Sequence, residues 1–207
     1  MDASDLWIFG YGSVIWKNGE IAHAEKVEGF IEGFKRRFWH GSVDHRGRAG
    51  APGRVVSVFS KEDMQALDVE GDDMREVGSE DGWRVYGSVF RVTKEHRDKV
   101  IASLNDRETG EGYRGMWVRV FAESEGGGKR VVVQRALTYK AGIKDKDFLG
   151  FASHEEIAKQ IERGVGTSGT NVEYLHRLHE ALVEMGREDA HVSALYALTG
   201  GGQEGLQ

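Results

Sequence analysis

The sequence predicts an α+β fold built on a largely antiparallel or mixed β-sheet. Short strand patterns fill the first two thirds of the chain, whereas helical periodicity is concentrated in the last third. Strands and helices do not alternate as they do in parallel sheets with crossover helices. Glycine occurs 29 times and proline only once, at Pro52, which indicates many tight turns between short strands.

The strand predictions follow from aromatic and β-branched runs bounded by turn residues. Residues 7–9 form an apolar run that ends in a Gly-Tyr-Gly-Ser turn at residues 10–13. Residues 27–39 include Gly29 and Gly33 among aromatic and β-branched residues, which is typical of a strand pair or a bulged strand. The remaining predictions are a central strand at 54–60, an exposed acidic excursion at 61–82, a strand at 83–93, and strands at 113–123 and 129–139 joined by glycines 126–128.

Helices are predicted from capping residues and apolar stripes. Thr93 and Asn171 are predicted N-caps, and Ser153 begins a capping box with Glu156. The apolar faces are Val100, Ile101 and Leu104 in the first helix, Ile157 and Ile161 in the second, and Tyr174, Leu175, Leu178, Leu182 and Met185 in the third, which ends at Gly186.

The bulk properties fit one cytoplasmic domain. A chain of 207 residues can bury a full core, so we expect a single domain at 1–199 and a flexible tail at 200–207. The sequence has no cysteine, which excludes disulfides, thiolate nucleophiles and cysteine-based metal sites. No apolar run approaches the length of about 20 residues that spans a bilayer, and the N-terminus lacks a basic leader region.

The charge distribution argues against nucleic acid as a general partner, because the formal net charge is −6. Basic residues nevertheless crowd into residues 35–54, where Asp44 is the single acid. This cluster suits a small anionic substrate, and it equally suits a solvated basic edge strand.

The turn at residues 10–13 is the first candidate ligand site. Glycine can adopt φ > 0 and bring backbone N–H groups against a carboxylate or phosphate, although a tight turn without a ligand is equally compatible with the pattern. A dinucleotide fingerprint is disfavoured, because Ile15 stands where the third glycine belongs and residues 17–20 stop a helix.

Residues 105–113 are the second candidate site, with carboxylates and an arginine in a glycine-punctuated turn after a helix. A helix end with ordinary solvated charges is the alternative. A serine–histidine–aspartate triad at Asp44 and His45 is disfavoured, because neighbours on an extended segment point in opposite directions. His176, His179 and His191 lack a carboxylate that completes a zinc motif, so no metal site is predicted.

Four segments, taken in order, resemble the ChaC-type γ-glutamylcyclotransferases. They are YGSVIW at 11–16, FW through SxDHRG to PGR at 38–54, LxxRE through GY at 104–113, and SGTNVEYL at 168–175. Together they span nearly the whole chain. The resemblance implies a γ-glutamylcyclotransferase-like fold with a barrel-like sheet.

The family cleaves the γ-glutamyl bond of glutathione, releasing 5-oxoproline and Cys-Gly without a metal or cofactor. The resemblance implies that Glu108 is the catalytic carboxylate and that the turn at 11–15 holds the γ-glutamyl group, largely through backbone N–H groups. The net charge and the lack of a long apolar run predict no nucleic acid or membrane partner, and the sequence leaves monomer and homodimer open. The residues implied to bind substrate are Tyr11, Gly12, Ser13, Val14, Ile15, Arg54 and Tyr113.

Two departures from the family pattern matter for the site. Val14 replaces the usual leucine, which is a mild change of volume. The spacing from Glu108 to Gly112 is one residue longer than in some relatives, so Glu111 competes as the catalytic residue. Alignment from Gly112 would instead place Thr109 at the key position, and threonine cannot act as this base.

Two functional alternatives remain open. The substrate could be another γ-glutamyl peptide or amine, since the sequence does not identify what lies beyond the γ-glutamyl group. The chain could also be a catalytically silent module that binds γ-glutamyl ligands. The basic cluster could bind the carboxylate of Cys-Gly or dock a protein, and Arg46 and Arg54 could instead be structural.

Overall fold

The computed structural model describes residues 5–17, 19, 21–69, 83–110 and 112–201, with side chains described throughout except at 107–110. The chain forms two compact units, each assembled from two stretches of sequence: unit 1 comprises 1–35 and 58–142, and unit 2 comprises 36–57 and 143–207.

The described elements comprise nine strands and five helices. The strands are β1 (Leu6–Gly10), β2 (Glu25–Glu32), β3 (Phe34–Ser42), β4 (Gly53–Ser60), β5 (Arg84–Val92), β6 (Tyr113–Glu123), β7 (Lys129–Ala141), β8 (Val165–Gly166) and β9 (Gly169–Thr170). The helices are α1 (Lys61–Ala66), α2 (Lys94–Gly110), α3 (His154–Arg163), α4 (Asn171–Glu184) and α5 (Ala190–Leu198).

Unit 1 is a closed barrel with the strand order β1-β5-β2-β6-β7. The pairings of β1 with β5, β5 with β2, β2 with β6 and β6 with β7 are antiparallel, and β1 closes the barrel through a parallel bridge between Ile8 and Leu137. This arrangement confirms the predicted α+β class with a mixed, barrel-like sheet.

Helix α2 packs on the barrel through a buried cluster that we call the α2 cluster. It joins the middle of the helix to β1, β5, β6 and β7, so the helix is held by apolar contacts from four strands. Its members are Leu6, Ile8, Ile21, Phe90, Val92, Val100, Leu104, Tyr113, Leu137, Tyr139 and Ala141, with Val14 and Ile101 packed against them.

Unit 2 contains most of the β3–β4 sheet, the short β8–β9 hairpin and helices α3, α4 and α5. Phe38 on β3 packs edge-on against Tyr174 of α4, with ring centroids 5.9 Å apart. The prediction that residues 54–60 form a central strand is wrong in its placement, because β4 pairs with β3 in a two-stranded sheet.

Two local predictions also need correction, and one helix was missed. The excursion at 61–82 begins with α1, which Ser60 and Asp63 cap reciprocally, while residues 70–82 lie outside the described ranges. Thr170 caps α4 by accepting a hydrogen bond from the N–H of Glu173, so Asn171 is the first helical residue and not the cap. Helix α5 was not predicted.

Among the described residues, no helix combines the length and apolar character that crossing a bilayer requires.

Candidate functional site

The turn after β1 is a single 3₁₀ turn at Ser13–Ile15. It is closed by hydrogen bonds from the N–H of Ile15 to the carbonyl of Gly12 at 3.0 Å and from the N–H of Lys17 to the carbonyl of Ser13 at 2.7 Å. Within the described residues, the N–H groups of Gly12 and Val14 donate no hydrogen bond. The turn therefore presents backbone donors that an anionic group can use.

Gly10 is required here for close packing and not for a left-handed backbone. Neither Gly10 nor Gly12 has a positive φ, and φ of Gly12 is −122°. A Cβ at position 10 would lie 2.6 Å from Cγ1 of Val14. The sequence argument from φ > 0 was thus wrong in mechanism, because the absent side chain is what lets the turn fold back on the strand.

The side chains of the turn anchor it to the barrel. The Tyr11 hydroxyl donates to the backbone carbonyl of Tyr139 at 2.6 Å in a buried hydrogen bond. Val14 packs on the α2 cluster, and Ile15 is buried. Thr138 on β7 also donates to the carbonyl of Phe9, the residue before Gly10. These contacts turn the apolar side chains of the turn inward, toward the barrel.

Glu108 lies in the last turn of α2, because the helix continues to Gly110. Of the candidate segment 105–113, residues 105–110 therefore belong to the helix, as the alternative of a helix end expects, and not to a separate turn. The Glu108 side chain lies outside what the structure describes, and so does Glu111 as a whole. Gly112, with φ of +83°, follows the helix end and leads into β6.

Tyr113, the first residue of β6, is buried within the α2 cluster together with Leu104 and Tyr139. The Tyr139 hydroxyl donates to Oδ1 of Asn105 on α2 at 2.7 Å. Sequence reasoning included Asn105 in the candidate segment 105–113 but missed Tyr139, since Tyr139 does not stand out from an ordinary strand. Unit 1 thus brings together the turn at 11–15, the helix that carries Glu108, and Tyr113.

Arg54 lies in unit 2, where its guanidinium is bonded to protein groups. It donates to Gln160 Oε1 at 2.7 Å, to the carbonyl of Phe38 at 2.8 Å and to the carbonyl of Gly150 at 3.3 Å. Burial lowers the pKa of Arg54, and the Glu156 carboxylate opposes that shift. This geometry favours a structural role for Arg54, and its role in substrate binding stays a prediction.

Most of the basic cluster at 35–54 is neither a solvated edge nor an open cationic surface. Lys35, Arg36, Arg37, Arg46 and Arg54 are buried, whereas His45 is half-buried and Arg48 is exposed. Arg36 pairs with Asp189 and Arg46 pairs with Glu173, each at 3.1 Å. The charges of Arg36 and Arg46 are therefore largely neutralised by carboxylates of the same protein.

The geometry of His45 does not match a catalytic triad. Its Nδ1 lies 3.0 Å from Ser168 Oγ and 3.9 Å from Asp44 Oδ2. A triad histidine contacts the nucleophile and the orienting carboxylate through opposite ring nitrogens, whereas here both neighbours face the same nitrogen.

Comparison with known proteins agrees with this fold. A relative from Danio rerio, glutathione-specific gamma-glutamylcyclotransferase 1, is 40% identical over 177 residues, covering 86% of this chain and 79% of its own length. The glutathione-specific gamma-glutamylcyclotransferase of Saccharomyces cerevisiae is 32% identical over 89% of this chain and 88% of its own.

A crystal structure of the glutathione-specific γ-glutamyl cyclotransferase from yeast superposes with a TM-score of 0.79 at 29% identity, covering 94% of this chain and 95% of that one. The family model described as ChaC-like protein matches residues 6–200. Since that match takes in both units, the chain belongs to the ChaC-like family.

Proposed function

We propose that this protein degrades glutathione by cyclising its γ-glutamyl group, releasing 5-oxoproline and Cys-Gly. The names of the relatives from Danio rerio and Saccharomyces cerevisiae support this substrate. The observation that carries the proposal is structural: one buried cluster contains Leu104 from the helix of Glu108 and Tyr113, and Val14 from the turn packs against it. The elements needed to bind and to deprotonate the substrate are therefore packed together.

The first task of the site is to hold the substrate folded on itself. The α-amine of the γ-glutamyl residue attacks its own γ-carbonyl carbon, a C–N bond forms, and the bond to the cysteine nitrogen breaks. Because nucleophile and electrophile belong to one molecule, orientation alone lowers the barrier by several kcal/mol. The N–H groups of Gly12 and Val14 are suited to bind the α-carboxylate and fix this conformer.

The second task is proton transfer, which we assign to Glu108. The α-amine is largely protonated at neutral pH, so a base removes one proton before attack and returns one to the departing amine. A single carboxylate can do both, for a rate gain of roughly 10²–10⁴. Glu108 follows Leu104 by four residues on α2, and positions four apart share a helix face. Leu104 faces the α2 cluster, and this helix periodicity supports the choice of Glu108.

The reaction needs no external nucleophile, oxidant or reductant, because the substrate supplies the attacking nitrogen and all atoms of both products. A site that binds and orients the γ-glutamyl group and moves one proton is sufficient. The preference for the part of the substrate beyond the γ-glutamyl group is to be measured with other γ-glutamyl peptides.

The test is mass spectrometry of purified protein incubated with glutathione, with Glu108→Gln and Glu111→Gln in parallel. We expect 5-oxoproline and Cys-Gly from the wild type and from Glu111→Gln, and neither from Glu108→Gln. The two variants make the same chemical change three residues apart, so Glu111→Gln controls for loss of charge near the helix end.

If folded wild-type protein releases no product but is stabilised by glutathione, the chain is a silent binding module and the proposal is overturned. Loss of activity in Glu111→Gln alone would transfer the catalytic role to Glu111. Product from another γ-glutamyl peptide in preference to glutathione would keep the chemistry and overturn the substrate.

A further inference from the structure

Tyr139 contacts both halves of the proposed site. Its backbone carbonyl accepts the hydrogen bond of the Tyr11 hydroxyl at 2.6 Å. Its side-chain hydroxyl donates to Oδ1 of Asn105 at 2.7 Å. One residue of β7 is thus bonded to the substrate-binding turn at one end and to helix α2 at the other.

Among its described side chains, at residues 94–106, helix α2 makes few apolar contacts with the barrel. Residues 94–99 are exposed, and burial begins only at Val100 and continues at Leu104, with Ile101 packed beside them. Apolar contacts are not directional, so a contact of this size resists rotation and sliding of a helix weakly. A directed hydrogen bond to a strand supplies the missing constraint.

Asn105 is well placed to transmit that constraint. It precedes Glu108 by three residues within the same helix, a rise of about 4.5 Å along the axis. The helix between them is continuous, so a shift at Asn105 moves Glu108 by a similar amount. A displacement of about 1 Å in a reacting group can cost roughly a hundredfold in rate. A shift of that size at Asn105 would therefore matter for catalysis by Glu108.

We propose that Tyr139 is a positioning residue, which fixes the distance between the Glu108 helix and the γ-glutamyl-binding turn through its hydrogen bond to Asn105. This inference rests on the proposed cyclotransferase function. It assigns Tyr139 no contact with the reacting atoms. It predicts that the hydrogen bond contributes to turnover more than to substrate affinity.

The test is steady-state kinetics of glutathione turnover for Tyr139→Phe, Asn105→Ala and the double variant. We expect kcat to fall at least fivefold in each single variant, with KM within about twofold of wild type. The double variant should fall no further, because both changes remove one interaction. Tyr86→Phe is the matched control, since it removes a tyrosine hydroxyl that donates to Glu123 on an exposed part of the barrel.

The conservative variant Asn105→Asp separates positioning from mere stabilisation. Its carboxylate accepts the same hydrogen bond, so kcat should be closer to wild type than in Asn105→Ala. Its negative charge, near Glu108, should also move the acid limb of the kcat/KM profile to higher pH. A purely structural role would lower the melting temperature of Asn105→Ala and leave the kcat of the folded variant unchanged, so that Asn105→Asp would have no loss of kcat to restore.

The outcomes separate this inference from the proposed function. If wild type is inactive on glutathione, both fail. If wild type is active and Tyr139→Phe retains kcat, only the positioning role is overturned. Should Tyr139→Phe fail to fold, Asn105→Ala decides, because position 105 is exposed; an unchanged kcat there overturns the inference as well.

Discussion

The side-chain amide of Asn171 brackets the backbone of Arg54 in unit 2. Its Oδ1 accepts from the Arg54 N–H at 2.5 Å, and its Nδ2 donates to the Arg54 carbonyl at 2.7 Å. Asn171 is fully buried, so both bonds are shielded from water. The first residue of α4 thus completes the hydrogen bonding of a strand more than one hundred residues earlier in sequence.

This relationship predicts a large loss of stability in Asn171→Ala. The substitution leaves a buried N–H and a buried carbonyl of Arg54 unpaired, which should lower the free energy of unfolding by roughly 2–4 kcal/mol. Urea unfolding measures this change. Thr170→Ala, which removes the cap of α4, should cost about 1 kcal/mol. An equal or reversed order of the two losses would contradict the stabilising role of the two hydrogen bonds between Asn171 and Arg54.

The packing of Gly10 on Val14 predicts a loss of activity in Gly10→Ala. The added methyl would meet Val14 Cγ1 at 2.6 Å, so the turn must move and carry its N–H groups with it. We expect kcat/KM for glutathione to fall at least about tenfold. Gly128→Ala is the control, since nothing lies within 4 Å of a Cβ there. Unchanged kinetics in Gly10→Ala would show that turn geometry is not critical.

The hydrogen bonds of Arg54 predict that Arg54→Lys is a stability variant. Lysine keeps the charge but cannot reproduce three bonds in different directions, so unfolding should become easier by roughly 1–3 kcal/mol. KM for glutathione, measured on folded protein, should stay unchanged. Arg48→Lys, at an exposed position, is the control. A rise in KM without loss of stability would support the substrate-binding role that the resemblance implies.

The barrel was predictable because strand patterns and turn glycines are local signals. The β6–β7 hairpin lies almost where the alternation and the glycines at 126–128 place it. The end of α2 was not predictable, since residues 105–110 combine polar and glycine residues that suit either a turn or a helix end.

The burial of the basic cluster could not be predicted from residues 35–54 alone. Arg36 and Arg46 find their partners Asp189 and Glu173 at separations of 153 and 127 residues. A local charge pattern contains no information about such distant partners, so it favours a solvated or ligand-binding surface. Helix α5, which Asp189 caps, was missed for the same reason, because its contacts with α3 and α4 are tertiary.

His191 predicts acid sensitivity. Its Nε2 accepts from the Phe38 N–H at 3.1 Å, so the neutral ring carries its proton on Nδ1, which faces His154 at 3.0 Å. Burial, followed by the charges of Arg37 and its neighbours, holds the pKa of His191 well below 6.5. As pH falls through 6.5, His191 therefore binds a proton in the unfolded chain but stays neutral in the folded chain. This contribution to stability is complete above pH 6.5 and declines as pH falls toward the folded pKa.

The measurement is urea unfolding from pH 8 to pH 5 for wild type, His191→Gln and His96→Gln. Glutamine can accept from the Phe38 N–H but does not titrate, so His191→Gln should lose up to about 1.4 kcal/mol per pH unit of the wild-type slope below pH 6.5. His96 is exposed, and its replacement should leave the slope unchanged. Parallel slopes for wild type and His191→Gln would mean that His191 takes up its proton equally well in the folded chain.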